Sequence, residues 1–198
     1  MQGVCYIIGA YHGDDACIVP SCHDYVIAAD GGYAAAKALG IRPDLVVGDF
    51  DSLGYVPEAE EIIQHPVRKD DTDTLLAIRL GLERGYRNFV ITGALGGRLD
   101  HTFANLQALH FLRDNGARGI LYGDGTLVTA VTNGSITIEG NGTLSVFTMD
   151  AKAEGVTLEN VSFPTDNVTL TNGFPIGVSN EFIGEAFMPG DLTAEDFG

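Results

Sequence analysis

Basic residues are scarce in this chain: eleven Lys and Arg stand against twenty-seven Asp and Glu, for a net charge of −16. A surface of that sign argues against a nucleic-acid partner or an anionic membrane surface. Long apolar runs are also missing, since no stretch approaches the roughly 20 residues needed to cross a bilayer. The start, MQGVCYIIGAYH, has no basic region before its apolar run, so it does not read as a targeting signal. Cys5, Cys17 and Cys22 are odd in number and lack the paired spacing of a zinc site. These absences predict a cytoplasmic protein with free thiols. Internal repeats and low-complexity tracts are absent too.

Carboxylates, by contrast, are placed with a pattern. Asp30 in AADGG, Asp49 and Asp51 in GDFDS, Asp70 and Asp73 in KDDTD, and Asp100 in GGRLDH each stand beside a glycine or at the end of an apolar run. Like charges gathered in one site repel and raise one another's pKa unless a cation neutralises them. A divalent metal holding phosphate resolves that repulsion, because hard cations such as Mg2+ take carboxylate oxygens together with substrate phosphates. The pattern therefore predicts metal-dependent phosphoryl transfer. In so acidic a protein an anionic nucleotide needs local help from metal, glycine-rich backbone and a few cations, for which Arg68, Lys69 and Arg98 are the candidates.

The order of elements predicts an α/β protein. Val4 to Ile8, Tyr25 to Ala29, Leu45 to Val47 and Asn88 to Thr92 read as buried strands. Tyr33 to Leu39, Asp73 to Arg84 and His101 to Arg113 read as helices, with Gly40 and Gly85 as terminators and Thr72 as an N-cap. Leu75, Ile78 and Leu82 mark the inner face of the second helix, and Phe103, Leu106 and Leu109 that of the third. Strands alternating with helices imply a mainly parallel sheet covered on both sides, and such sheets bind ligands outside the carboxyl ends of their strands. Asp30, Asp49 and Gly93 each follow a strand directly, so their motifs are expected along one edge. After Tyr122 the pattern changes to short runs of Val, Ile, Thr and Phe between turns at Gly123-Asp124-Gly125, Asn133-Gly134, Gly140-Asn141-Gly142 and Asn172-Gly173. That predicts an α/β domain over 1–122 and a C-terminal antiparallel β-sandwich over 123–198, the latter too small to be self-sufficient.

Each motif taken singly has a plain alternative. Asp49 and Asp51, two positions apart, point the same way from an extended segment, yet a solvated loop would look the same. Asp70 and Asp73 lie at the mouth of a helix, where the macrodipole favours carboxylates and phosphates, and Asp71 or Thr72 there can be a simple cap. In GALGGRLDH the glycines let backbone N–H groups approach phosphate and Arg98 can fork onto its oxygens, but a tight strand-to-helix connection capped by Asp100 is the alternative. The loop matches neither the P-loop nor the dinucleotide fingerprint.

The ordered set is more specific than its parts. ADGG, PDLVVGDFDS, KDDTD and TGALGGRLDH followed by Asn105, with GVSNEF at 177–182, resembles the thiamine pyrophosphokinase family over most of the chain. The resemblance implies transfer of the terminal pyrophosphoryl unit of ATP, the co-substrate, to the hydroxyethyl group of thiamine, giving thiamine diphosphate and AMP. It implies a homodimer with the active site at the subunit interface. By motif position, Asp49, Asp51 and Asp73 would hold Mg2+; Asp30, Gly31, Arg98, Asp100 and Asn105 would lie around ATP; Asp70, Thr72, Ser179 and Asn180 would lie near thiamine. Asp73, Asp100 and Arg98 are the expected catalytic groups, and Asp71, at the motif's variable position, is assigned no role. A Mg2+-dependent phosphatase or nucleotide hydrolase, and a thiamine or nucleotide sensor without turnover, are the rival readings.

Overall fold

The structure is a computed structural model that describes residues 3–11, 18–50, 55, 57, 59–64, 71–138 and 142–183. Strands β1 (Val4–Ile8), β2 (Tyr25–Ala29) and β3 (Leu45–Gly48) are buried almost along their whole lengths. So are β5 (Asn88–Thr92) and the middle of β6 (Arg118–Gly123). Apolar runs without polar alternation are what strands covered on both faces require. Between them lie β4 (Glu61–Gln64), α1 (Gly32–Ala38), α2 (Asp73–Glu83) and α3 (Leu99–Asp114). A further strand, β7 (Thr126–Thr129), follows β6.

These strands form one seven-stranded sheet in the order β4-β3-β2-β1-β5-β6-β7. All neighbours are parallel except the β6–β7 hairpin. The chain winds outward from β1 through β2, β3 and β4, then restarts at β5 on the other side of β1, so β1 and β5 flank the switch point where parallel sheets leave a crevice. One core layer gathers Cys5, Ile7, Ile27, Ile78, Phe89, Leu109 and Leu112; a second gathers Tyr6, Ile8, Val26, Ala36 and Val90.

The first two helices end at the expected glycines, and the third ends at Gly116. Gly40, Gly85 and Gly116 have φ of 71°, 94° and 67°, and each is followed by an N–H that reaches back to close the last turn, Ile41 to Ala36, Tyr86 to Gly81 and Ala117 to Leu112. The inner face of α3 is shifted from the expected one. Asn105, Ala108, Leu109 and Leu112 are buried, whereas Phe103 is 59% exposed. Spacing of three and four residues is kept, but a polar residue occupies the buried stripe.

Two compact units divide the chain between Gly134 and Ser135. The expected boundary after Tyr122 falls inside the β6–β7 hairpin, because Leu121 pairs Val128 and Gly123 pairs Thr126 across the Asp124-Gly125 turn. In the second unit β9 (Lys152–Leu158) pairs antiparallel with β10 (Thr165–Thr171), and β8 (Thr143–Leu144) with β11 (Asn180–Glu181). The fold is thus mixed α/β with a mainly parallel central sheet and antiparallel strands after it. Among the described residues of the second unit only Val161 and Leu170 are buried apolar side chains, while Phe147, Phe163 and Phe174 are mostly exposed.

Candidate active site

Asp49 follows β3, Asp30 follows β2, and the glycine-rich segment from Gly93 follows β5. All three strands run parallel within one sheet, so the motifs share its carboxyl edge. Two of the turns there are strained. Asp30 has φ 47° and Phe50, between the two carboxylates of GDFDS, has φ 62°. A bulky residue in that region costs about 1–3 kcal/mol. Phe50 is held there by burial against Ala28, Tyr33 and Val46, and the Asp30 N–H is fixed by the Val47 carbonyl at 2.7 Å. Gly31 is the N-cap of the short helix α1, and its carbonyl accepts from the Ala34 N–H at 3.1 Å.

The loop after β5 is anchored through its carbonyls. The Thr92 carbonyl accepts from Gly9 N–H at 2.8 Å and that of Gly93 from Tyr11 N–H at 3.1 Å. Asn105, 6% exposed, donates its Nδ2 to the Ala94 carbonyl at 2.7 Å. Thr102 Oγ1 donates to the Gly96 carbonyl at 3.3 Å. With its carbonyls turned to donors, the loop presents backbone N–H groups: those of Gly96, Gly97, Arg98 and Leu99 meet no acceptor among the described residues. Such a run before a sixteen-residue helix is chemically suited to phosphate. Asn105 reaches the loop rather than standing alone, and Thr102 is a loop anchor that motif reading missed.

Arg98 and Asp100 form a bidentate pair, Nε to Oδ1 at 3.1 Å and Nη2 to Oδ2 at 2.5 Å. That hydrogen bonding holds the Asp100 carboxyl below its usual range and raises the Arg98 guanidinium. Both side chains are well exposed, at 73% and 65%; water screens such pairs and leaves them weak, so a phosphate could displace the carboxylate from the fork at small cost. Asp100 does not cap α3: the N-cap is Arg98, and Asp100 lies in the first turn, accepting from the His101 N–H at 3.0 Å.

Thr72 is the N-cap of α2 as expected, its Oγ1 accepting from the Leu75 N–H at 3.2 Å, with Asp73 in the first turn. Asp71 forms an ion pair with Arg79 at 2.9 Å. Asp51 and Asp70, with Arg68 and Lys69, lie outside the described residues. Among the described residues no three His, Cys, Asp or Glu side chains are gathered tightly enough to cage a cation. In the second unit, Ser179 has φ 60° and its N–H donates to Ser145 Oγ at 3.2 Å. Asn180, 8% exposed, is engaged by main chain: its Oδ1 accepts from Phe163 N–H at 2.9 Å and its Nδ2 donates to the Phe163 carbonyl at 2.7 Å.

A family model for the thiamin pyrophosphokinase catalytic domain matches residues 19–121. Thiamin pyrophosphokinase 1 of Caenorhabditis elegans is 26% identical over 172 residues, covering 79% of this chain and 71% of that protein. Thiamine pyrophosphokinase of Bacillus subtilis is 27% identical over 170 residues, covering 81% and 79%. A crystal structure of the Bacillus subtilis thiamine pyrophosphokinase superposes with a TM-score of 0.78 at 25% identity, covering 94% of this chain and 95% of that one. The matched segment holds β2 to β5, α1 to α3 and every motif of the carboxyl edge, and on these grounds the chain belongs to the thiamine pyrophosphokinase family.

Proposed function

We propose that this protein is a thiamine diphosphokinase, transferring the pyrophosphoryl group of ATP to thiamine. The observation that carries the reading is the row formed by Asp49, Asp30 and the N–H groups of the 96–99 loop on one edge of a parallel sheet, inside the segment matched by the family model. In the transfer, the thiamine hydroxyl oxygen forms a bond to the β-phosphorus, and the bond from that phosphorus to the oxygen bridging it to the α-phosphate breaks, releasing AMP. Alignment and charge neutralisation supply most of the rate in such reactions. The 96–99 backbone and Arg98 bind phosphate oxygens, and Asp30, Asp100 and Asn105 shape the nucleotide site. The hydroxyl proton is lost late in a loose transition state, and Asp73 or Asp100 accepts it.

The donor set offered by Asp49, Asp51 and Asp73 is all hard oxygen, which fits Mg2+, an ion that uses one or two carboxylates and completes its shell with water and phosphate. Bound there, it would screen the phosphate oxygens during transfer. Asp70, Thr72, Ser179 and Asn180 are assigned to thiamine, with the last two from a second subunit. Strain at Ser179 and the exposed phenylalanines of a unit whose described residues include few buried apolar side chains support a homodimer with a shared site. Cys5 and Cys22 carry free thiols, as a reducing compartment keeps them, and on that ground the compartment assigned is the cytoplasm. No helix among the described residues is long and apolar enough to cross a membrane.

The test is AMP release from ATP measured with and without thiamine. Thiamine-dependent AMP and thiamine diphosphate are expected. AMP or phosphate release that ignores thiamine would make the protein a hydrolase, and tight nucleotide binding without turnover would make it a sensor. A monomer with full activity would overturn the shared site.

A further inference from the structure

Tyr11 stands just past β1, across the switch point from the glycine-rich loop, and belongs to none of the motifs assigned above. Its N–H is bonded to the Gly93 carbonyl at 3.1 Å. Its ring lies where side chains at two loop positions would have to go. A Cβ on Gly96 would fall 2.5 Å from Tyr11 Cε1, and one on Gly97 would fall 2.8 Å from Tyr11 Cδ2. Both glycines also have positive φ, 84° and 66°, so the loop passes over the ring in a shape that residues with side chains adopt only under strain. The β6–β7 turn also approaches this position, with Asp124 Oδ2 3.1 Å from the same Gly96 Cβ point. A side chain at Gly96 would thus meet both the Tyr11 ring after β1 and the turn after β6.

We propose that Tyr11 is a positioning residue of the phosphate loop, its ring serving as the floor on which the Gly96-Gly97 peptide rests with its N–H groups turned to the ligand. This rests on the nucleotide reading of that loop given above. Asn105 and Thr102 hold the loop from the α3 side through the Ala94 and Gly96 carbonyls. The ring lies against the two glycines themselves, and it supplies all three atoms nearest the Gly97 Cβ position. A glycine pair without a floor samples many backbone states, and the N–H groups would then converge on phosphate only after an entropic cost. The loss falls on nucleotide binding, because Tyr11 itself is 39% exposed at the sheet edge rather than part of the core. The Tyr11 atoms nearest both Cβ positions are ring carbons, so the support is assigned to the ring rather than to the hydroxyl.

The experiment compares Tyr11→Phe, Tyr11→Leu and Tyr11→Ala in the full-length protein. Affinity for ATP is measured by calorimetry without thiamine, and KM for each substrate and kcat are measured during turnover. Tyr11→Phe should match the parent. Tyr11→Ala should weaken ATP binding about tenfold, equivalent to about 1.4 kcal/mol, with KM for thiamine within about twofold of the parent and Tm little changed. Tyr11→Leu, which fills the space without a flat surface, should fall between and stands in if the alanine variant does not fold. Parental ATP affinity in both Tyr11→Ala and Tyr11→Leu would overturn the proposal, as would equal losses for ATP and thiamine, the mark of a merely structural residue. Because ATP binding is read without turnover, a parent protein that binds ATP but makes no thiamine diphosphate would sink the kinase assignment and leave the Tyr11 result still decisive.

Discussion

The two ends of the central sheet carry the same residue type and use it differently. At the amino ends, Asp24 before β2 accepts from the N–H groups of Val4 and Ser21, both at 2.7 Å, and Asp44 before β3 accepts from Val26 at 2.8 Å. Glu61, opening β4, takes both its oxygens to Arg84 at 2.7 Å. These carboxylates satisfy strand ends and a cation, and the left-handed turns on that side are glycines closing helices. At the carboxyl ends, left-handed conformations fall on Asp30 and Phe50, where each has a cost, as well as on Gly93, Gly96, Gly97 and the Asp124-Gly125 hairpin turn. Strain is tolerated where a site is built, and avoided where chain ends are merely tied off. An aspartate's place relative to its strand separates the two uses better than its neighbours in sequence do.

The sharpest way to break that comparison is to remove one aspartate from each end of β3. Asp49→Ala should lower turnover by at least about 10²-fold, as expected for a lost charge at a phosphoryl-transfer centre, with Tm near the parent's. Asp44→Ala should leave the Val26 N–H unpaired, at a cost of about 1–3 kcal/mol, seen as a Tm lower by roughly 5 °C, with kcat retained in the folded enzyme. Assays of steady-state rate and thermal unfolding on the same preparations read both. If Asp44→Ala lost turnover at an unchanged Tm, or Asp49→Ala unfolded without a catalytic defect, the division between the edges would be wrong.

A smaller effect is expected at Arg98. Arg98→Lys keeps the charge but loses the planar fork that now grips Asp100 through two bonds. Phosphate recognition by a fork is not replaced by an ammonium, so kcat/KM for ATP should fall roughly tenfold while Tm holds, the pair being exposed. Parental kinetics would reduce Arg98 to a point charge.

Much of this arrangement is legible in sequence, for identifiable reasons. Strands β1, β2, β3 and β5 announce themselves because burial on both faces leaves no polar alternation, and the ligand edge follows from what comes directly after them. Strand β4 is not legible: EIIQ is mostly exposed at the sheet's edge, so its ends are polar. The β6–β7 hairpin is legible as a turn at Asp124-Gly125, but a turn does not tell which sheet its strands join, and β7 extends the large one. Phe103 as an inner residue of α3 fails because Asn105 takes the buried stripe to hold the Ala94 carbonyl, a tertiary need that helical spacing does not encode. Tyr11 escapes for a similar reason, since the glycines it supports lie far downstream, after β5. Asn180 carries a motif signature in sequence, yet its amide is tied to Phe163.

The amino edge offers the finest test, through Glu61. Arg84 lies over the Tyr25 ring at 5.3 Å, Tyr25 stacks on Tyr86 at 5.7 Å, and the Tyr25 hydroxyl donates to Glu61 at 3.2 Å. Burial, with Glu61 beside it, pushes the Tyr25 phenol up to about 12, so it stays a neutral donor at any working pH. Hydrogen bonding from Arg84 holds the Glu61 carboxyl below its ordinary value of 4.5. A carboxylate whose folded pKa lies below its unfolded one stabilises the fold above the unfolded value and loses that contribution as pH falls through the folded one. Glu61 is 46% exposed, so solvent screening limits the pair to about 1 kcal/mol or less. Glu61→Gln should therefore lower Tm slightly at neutral pH and converge with the parent as pH drops below 4.5, with turnover at neutral pH unchanged. Thermal melts of both proteins across that range decide it. A gap that widened toward acid, or a catalytic defect in Glu61→Gln at neutral pH, would show that the amino edge is wired to the chemistry rather than closing off the far ends of its strands.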